Sequence, residues 1–298
     1  MKKTLLFLSM FAWLWVGMAC SGDDDLPPIE EKQPIKSFFM NEGDSLALAV
    51  SLRPFGIKDL DKFIDSEWEY VIDDIKYHQY YYQGVVFNTL WDTKENIYRL
   101  WRIAVEEPEL LPDGYFLSPA LKDLKRLSHL EIRGDERATG VIPKEIFDCP
   151  LVRLHISGKG FTGAIPKEIA KVANTLVAIE IVSTSLNYLP EEIGELRKVN
   201  VPYLCYNEFR GTPPMSLRNF SSSAQCQDNY FDEIDWNMFL EFDADKSVVT
   251  GIYSVPLLDG NCLTGEIPQE VLDSEYWTYF AQCLGRQRDG YGFSNWSK

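Results

Sequence analysis

The chain has 298 residues, 45% hydrophobic and 13% aromatic, enough apolar material for one extended core or two small ones. Its formal charge is -16, which argues against nucleic acid as a partner, because phosphates require a basic footprint. Strong acidity otherwise marks a soluble, outward-facing surface as readily as it marks a cationic ligand.

Met1-Lys2-Lys3 is a short positive region, and an apolar run from Leu5 to Met18 follows it. That run is shorter than the roughly 20 residues a helix needs to span a bilayer, so residues 1–19 read as a signal peptide. Its end, Val16-Gly17-Met18-Ala19-Cys20, resembles a lipobox, which implies cleavage before Cys20 and a lipid anchor on that cysteine. The acidic run Ser21-Gly22-Asp23-Asp24-Asp25 resembles the export signal of Bacteroidetes-type surface lipoproteins. The expected location is therefore the outer membrane, lipid-anchored and exposed at the cell surface. A solvated tether over residues 20–35 accounts for the same run, and Pro27, Pro28 and Pro34 suit it.

Residues 36–118 are expected to form an N-terminal capping region and a first strand. Asp44-Ser45-Leu46-Ala47-Leu48-Ala49 and the Gly84-Val85 turn resemble the helical cap ahead of many leucine-rich arrays, with Ile97 to Ile103 as the strand. A solenoid end must hide its apolar face. The aromatics Trp68, Tyr70 and Tyr80 to Tyr82 are therefore expected to pack rather than to form a stacking platform.

In residues 119–214 the chain repeats itself. Thr139-Gly140-Val141-Ile142-Pro143-Lys144-Glu145-Ile146 returns as Thr162-Gly163-Ala164-Ile165-Pro166-Lys167-Glu168-Ile169, and a fixed period of this size signals a solenoid. Leu127-x-x-Leu130-x-Ile132 and Leu151-x-x-Leu154-x-Ile156 precede these blocks. The unit resembles the plant-type leucine-rich repeat, LxxLxLxxNxLTGxIP. That resemblance implies an α/β, right-handed solenoid with short parallel strands on its concave face and helical N-terminal and C-terminal caps. The family's Asn position, which forms a side-chain ladder, holds Asp135, Lys159, Thr184, Asn207 and Asn261 here. The third unit is shortened, ending at Leu189-Pro190.

Residues 215–250 are expected to be an insertion or degenerate repeat: Asn219 to Gln227 is Ser-rich and loop-like, and Asp235 to Phe242 suits a short helix. Residues 251–298 hold a last repeat at Thr264-Gly265-Glu266-Ile267-Pro268 and a helical cap from Gln269 to Leu284. Cys149 reads as a buried apolar residue. In an oxidising exterior Cys205 with Cys226 and Cys262 with Cys283 are possible pairs, although spacing does not fix connectivity.

Aligning the strands stacks Arg102, Glu131, His155, Glu180, Tyr203 and Leu257 into one concave row, about 5 Å apart. His129 and Arg153 lie on one side of it, and Arg133 and Ser157 on the other. Glu131, His155 and Glu180 make a workable carboxylate–imidazole metal set, but alternating charges also simply solvate a sheet, and no metal or cofactor is assigned. No Gly-x-Ser-x-Gly elbow, His-Glu-x-x-His helix or P-loop occurs. The expectation is a non-enzymatic surface protein that binds a protein or glycan ligand through His129, Glu131, Arg133, Arg153, His155, Glu180 and Tyr203. The alternative is a structural spacer in a surface complex.

Overall fold

Period-two alternation in the repeats produces rungs. In β5 (His129–Arg133), β6 (Arg153–Ala164) and β7 (Ala178–Tyr188), alternate residues point to opposite faces of the sheet. Leu130 and Ile132 pair with Leu154 and Ile156, and these with Ile179 and Ile181, all in parallel and all buried. Single bridges from Glu180 to Tyr203, Tyr203 to Gln225 and Gln225 to Leu257 carry the parallel order through three more rungs. The computed structural model describes residues 47, 50–56, 66–72, 75–82, 84–94, 97–242 and 255–296. The leader, Cys20, the acidic run and most of the Asp44 to Ala49 segment lie outside them.

Opposite the strands, four rungs return through a 3-10 turn that starts directly after a proline. Lys144–Asp148, Lys167–Val172, Glu191–Glu195 and Met215–Asn219 follow Pro143, Pro166, Pro190 and Pro214. The proline ring fixes φ, so the chain enters each turn at a set angle. Ile146, Ile169, Ile193 and Leu217 then drop into the core with no exposed surface. Where two rungs come closest, only glycine fits: a Cβ on Gly160 would stand 1.5 Å from the Ala138 carbonyl oxygen. These features make the repeat region a solenoid of stacked parallel rungs, which fits the leucine-rich-repeat resemblance.

In the N-terminal capping region the described residues at the expected helix are helical, and strands beyond the one expected follow them. Helix is present among the described residues only at Ala47 and Val50 to Leu52, followed by a 3-10 turn at Arg53–Phe55. The bulk is an antiparallel meander of β1 (Ser66–Ile72), β2 (Ile75–Tyr82), β3 (Val85–Asp92) and β4 (Ile97–Val105). The C-terminal end of β4 pairs in parallel with β5, so one seven-stranded sheet changes from antiparallel to parallel at β4. Tyr80, Tyr82, Val85, Phe87, Leu100 and Ile103 are buried and continuous with the solenoid core. Aromatic and β-branched residues at alternate positions favour strand over helix. The backbone of Trp68 and Tyr70 lies in β1; their side chains are outside the described residues.

The Ser-rich segment is also more regular than expected. Gln225 occupies a rung between those of Tyr203 and Leu257, with Ala224 and Cys226 turned into the core. Two further parallel pairings, β8 (Arg210–Gly211) with β9 (Tyr230–Phe231) and β10 (Thr264–Gly265) with β11 (Gly292–Phe293), follow the strands on the next side of the coil. Helix α1 is confined to Asn237–Leu240, with Met238 and Phe239 buried. α2 (Gln269–Leu272) and α3 (Trp277–Leu284) bury Val271, Phe280, Cys283 and Leu284 over the last rung.

The side-chain ladder runs through Asn207, Asn229, Asn261 and Gln287. Each amide donates to the carbonyl three residues before it and to the equivalent carbonyl one rung earlier. Asn207 reaches Leu204 and Ile181 at 3.0 and 2.7 Å. Asn229 reaches Cys226 and Leu204 at 3.0 and 2.9 Å. Asn261 reaches Leu258 and Cys226 at 2.9 and 3.1 Å. Gln287 reaches Leu284 and Leu258 at 2.6 and 3.2 Å. These turns are buried from water, so the amides satisfy carbonyls that would otherwise be orphaned. The C-terminal Gly-Tyr-Gly segment therefore belongs to the coil, supplying the last ladder residue just before it and the β11 strand at its end.

All five described cysteines are free thiols, which corrects the disulfide reading. Alternation explains the first pair. Tyr203 and Gln225 face outward on adjacent rungs, so Cys205 also faces outward while Cys226 faces the core. Cys262 lies just past the ladder residue Asn261, whereas Cys283 sits on α3. Cys149 is buried, and its thiol donates to the Leu121 carbonyl at 3.0 Å.

Candidate ligand-binding face

The outward face of the parallel sheet carries the central row Glu131, His155, Glu180, Tyr203, Gln225 and Leu257. Its first member differs from expectation: Ala104 pairs with Glu131, and Arg102 pairs with His129 in the neighbouring row. Two positions along a strand return to the same face, so the Arg102 side chain still reaches the row. Its Nε donates to Glu131 Oε1 at 2.9 Å and its Nη2 to Oε2 at 3.3 Å. Nη1 donates to Asn88 Oδ1 at 3.2 Å and Nη2 to Glu106 Oε1 at 3.4 Å.

This arrangement sets the charge state of the N-terminal rungs. Burial opposes ionisation of Glu131, but the Arg102 hydrogen bonds and charge outweigh it and hold the carboxyl below its ordinary value. Burial keeps the Glu106 carboxyl above its own. His129 lies edge-on to the Trp101 ring, 5.0 Å between centroids, and its Nδ1 is 2.9 Å from Ser128 Oγ. Burial lowers its pKa to about 4 against the opposing pull of Glu131, the approach of Arg153 and Arg102 adds to the lowering, and the ring is neutral at pH 7.

On the next rungs His155 Nδ1 meets Glu180 Oε2 at 3.0 Å, a contact that holds the Glu180 carboxyl below its usual range. Glu131 is thus committed to Arg102 and Glu180 to His155, so the three groups do not converge on a point. Among the described residues no cluster of His, Cys, Asp and Glu fit to hold a metal is present.

Three of the expected residues remain available to a partner. Arg133 and Arg153 are exposed, and neither forms an ion pair among the described residues. Tyr203 is 48% exposed in the central row. The sequence reading missed Gln225 in that row and Tyr206 beside it, which is 55% exposed. Asn229, three residues after Cys226, repeats the spacing of Asn207 after Leu204, and that signal locates the Gln225 rung.

No family model matches the chain, and no curated protein matches it. Among solved structures, a TDR receptor is similar at 25% identity and a TM-score of 0.42, over 52% of this chain and 26% of that one. The Arabidopsis receptor kinase HAESA, solved with the peptide hormone IDA and a co-receptor, is similar at 26% identity and a TM-score of 0.40, over 52% and 25%. A plant ice-binding protein is similar at 19% identity and a TM-score of 0.48, over 76% and 66%. The chain thus spans about a quarter of the length of the two receptors.

Proposed function

We propose that this chain is a non-enzymatic, lipid-anchored surface protein that holds a protein ligand on the outward face of its parallel sheet. The observation that carries this reading is the exposure of Arg133, Arg153 and Tyr203 on one continuous face, with both guanidinium groups unpaired among the described residues. Arginine and tyrosine are the side chains that most often dominate protein interfaces. A face spread over several rungs offers a broad surface, which is how repeat arrays bind. The sequence offers no nucleophile–base motif, in keeping with a binding role.

The finer features belong to the same proposal: a right-handed coil with the sheet on its concave side, end caps, lipid on Cys20 and exposure at the outer membrane. Binding is tested by capture from surface extracts, followed by affinity measurement with the recovered protein. Replacing Arg133, Arg153 and Tyr203 together by alanine is expected to weaken that affinity by more than about tenfold. Equal affinity moves the reading to a spacer. Placement is tested by detergent phase partition and protease treatment of whole cells. Wild-type protein is expected in the detergent phase and degraded by external protease; a Cys20→Ala protein that partitions and locates identically removes the anchor.

A further inference from the structure

The residue immediately before five of the ladder positions is left-handed. Gly158, Ser183, Tyr206, Asp228 and Gly260 have φ of 122, 56, 62, 55 and 72°, and they directly precede Lys159, Thr184, Asn207, Asn229 and Asn261. Such a backbone is free to glycine and tolerable for short polar residues, but it presses a bulky side chain against the following carbonyl. Only at position 206 does this column carry an aromatic residue.

Contacts within the protein do not explain the choice. The Tyr206 ring is 55% exposed and has no aromatic or side-chain hydrogen-bond partner among the described residues. Its backbone is pinned instead: its N–H donates to the Gln227 carbonyl at 3.0 Å, and its own carbonyl accepts from Lys159 Nζ at 3.3 Å. The same ammonium donates to the Thr184 carbonyl at 3.2 Å, so backbone oxygens occupy that cation. Tyr203, on the same rung, presents a second exposed ring in the central row. Strain held in place by surrounding structure, with the strained side chain turned to solvent, points to function.

We propose that Tyr206, together with Tyr203, receives an aromatic or large aliphatic side chain of the protein ligand, and that the strained backbone at position 206 is kept for this contact. The inference rests on reading this face as protein-binding. Arg153 lies two rungs from Tyr203, and rungs are about 5 Å apart. Arg153 is also two residues off the Tyr203 register along the strand, so the ligand segment carries a carboxylate about 12 Å from its apolar side chain, matching one unpaired guanidinium and the exposed rings.

Random dodecapeptides displayed on phage and selected on the full chain in detergent are the probe. Selected peptides are expected to combine an acidic residue with an aromatic or large aliphatic one. Tyr206→Gly is expected to weaken them by about tenfold, and Tyr206→Phe to leave them unchanged. Replacing the peptide's apolar residue by alanine should cost little more once Tyr206 is glycine, as for two partners in one contact. The thermal midpoint of Tyr206→Gly should equal or exceed that of the wild type, because a strained residue has been relieved; a lower midpoint overturns the strain argument. Peptides that bind Tyr206→Gly normally but are lost on Arg133→Ala/Arg153→Ala overturn the role of Tyr206 and leave the ligand face standing. Peptides indifferent to every variant, or no selected peptide at all, overturn both.

Discussion

His129 shows how the sheet face controls a titration. Its folded pKa of about 4 lies below the ordinary 6.5, first because burial disfavours the imidazolium; the nearby Glu131 carboxylate opposes this, and repulsion from Arg153 and Arg102 adds to it. The unfolded chain therefore binds the proton more readily, and this group's contribution to stability falls as pH drops from about 6.5 towards 4. Allowing for the partial solvent exposure of the ring, the loss is at most about 2 kcal/mol. His129→Gln, which cannot take up the proton, should flatten the urea-unfolding free energy across that window relative to wild type. Parallel pH profiles for the two proteins would mean that the ring is solvated. The Glu131 carboxyl acts lower: its stabilisation is present above the unfolded carboxylate value and disappears as pH falls through its depressed folded pKa.

At the scale of elements, the ladder divides the rungs into two kinds. Asn207 donates to two carbonyls and accepts from Thr184 N at 3.0 Å and Thr184 Oγ1 at 2.6 Å, all within the interior. Asn207→Ala strands the Ile181 carbonyl and the Thr184 N–H and hydroxyl, while the Leu204 carbonyl keeps Asn229, and should cost about 3 kcal/mol in urea unfolding, since each unpaired buried group costs about 1 kcal/mol or more. Asp135→Ala at the corresponding position of an earlier rung should cost far less. There a side chain near the surface pairs with Arg137, and the Asp135 N–H donates to the Tyr115 hydroxyl at 3.0 Å. Equal losses at the two positions would contradict this division. The difference also marks what the sequence made legible. Leu130, Ile132, Leu154 and Ile156 recur with Thr-Gly-x-Ile-Pro, so their rungs and the face holding Arg133, Arg153 and Tyr203 were readable. The Gln225 rung was hidden because Ala224 and Cys226, small residues behind three serines, replace the expected leucines. The antiparallel meander was less legible, because the Asp44 segment and the Gly84-Val85 turn share the signals of a helical cap, although Tyr80, Tyr82, Val85 and Phe87 alternate as strand residues do. Ion pairing across rungs, such as Arg102 with Glu131, depends on side-chain reach that a linear pattern does not encode.

For the whole molecule, the question is how far each end holds the array. A coil of repeats is stabilised mainly by neighbouring rungs, so an end must present something other than another open rung. Here the tail does this at the C-terminus. Gln287 completes the ladder, Arg288 lies 4.0 Å from the Tyr230 ring centroid, and Phe293 and Trp296 cover Trp236 and Trp277 at centroid distances of 5.5 and 5.4 Å. Removing residues 285–298 strips the ladder partner from the Leu284 carbonyl and one of the two from the Leu258 carbonyl, and uncovers aromatic surface. Amide exchange should then lose protection on the Leu257 and Gln225 rungs while the rungs of Leu130 and Leu154 keep theirs, and light scattering should show association through the uncovered end. Loss of protection across every rung would mean that the array, meander included, unfolds as one cooperative unit rather than from its end.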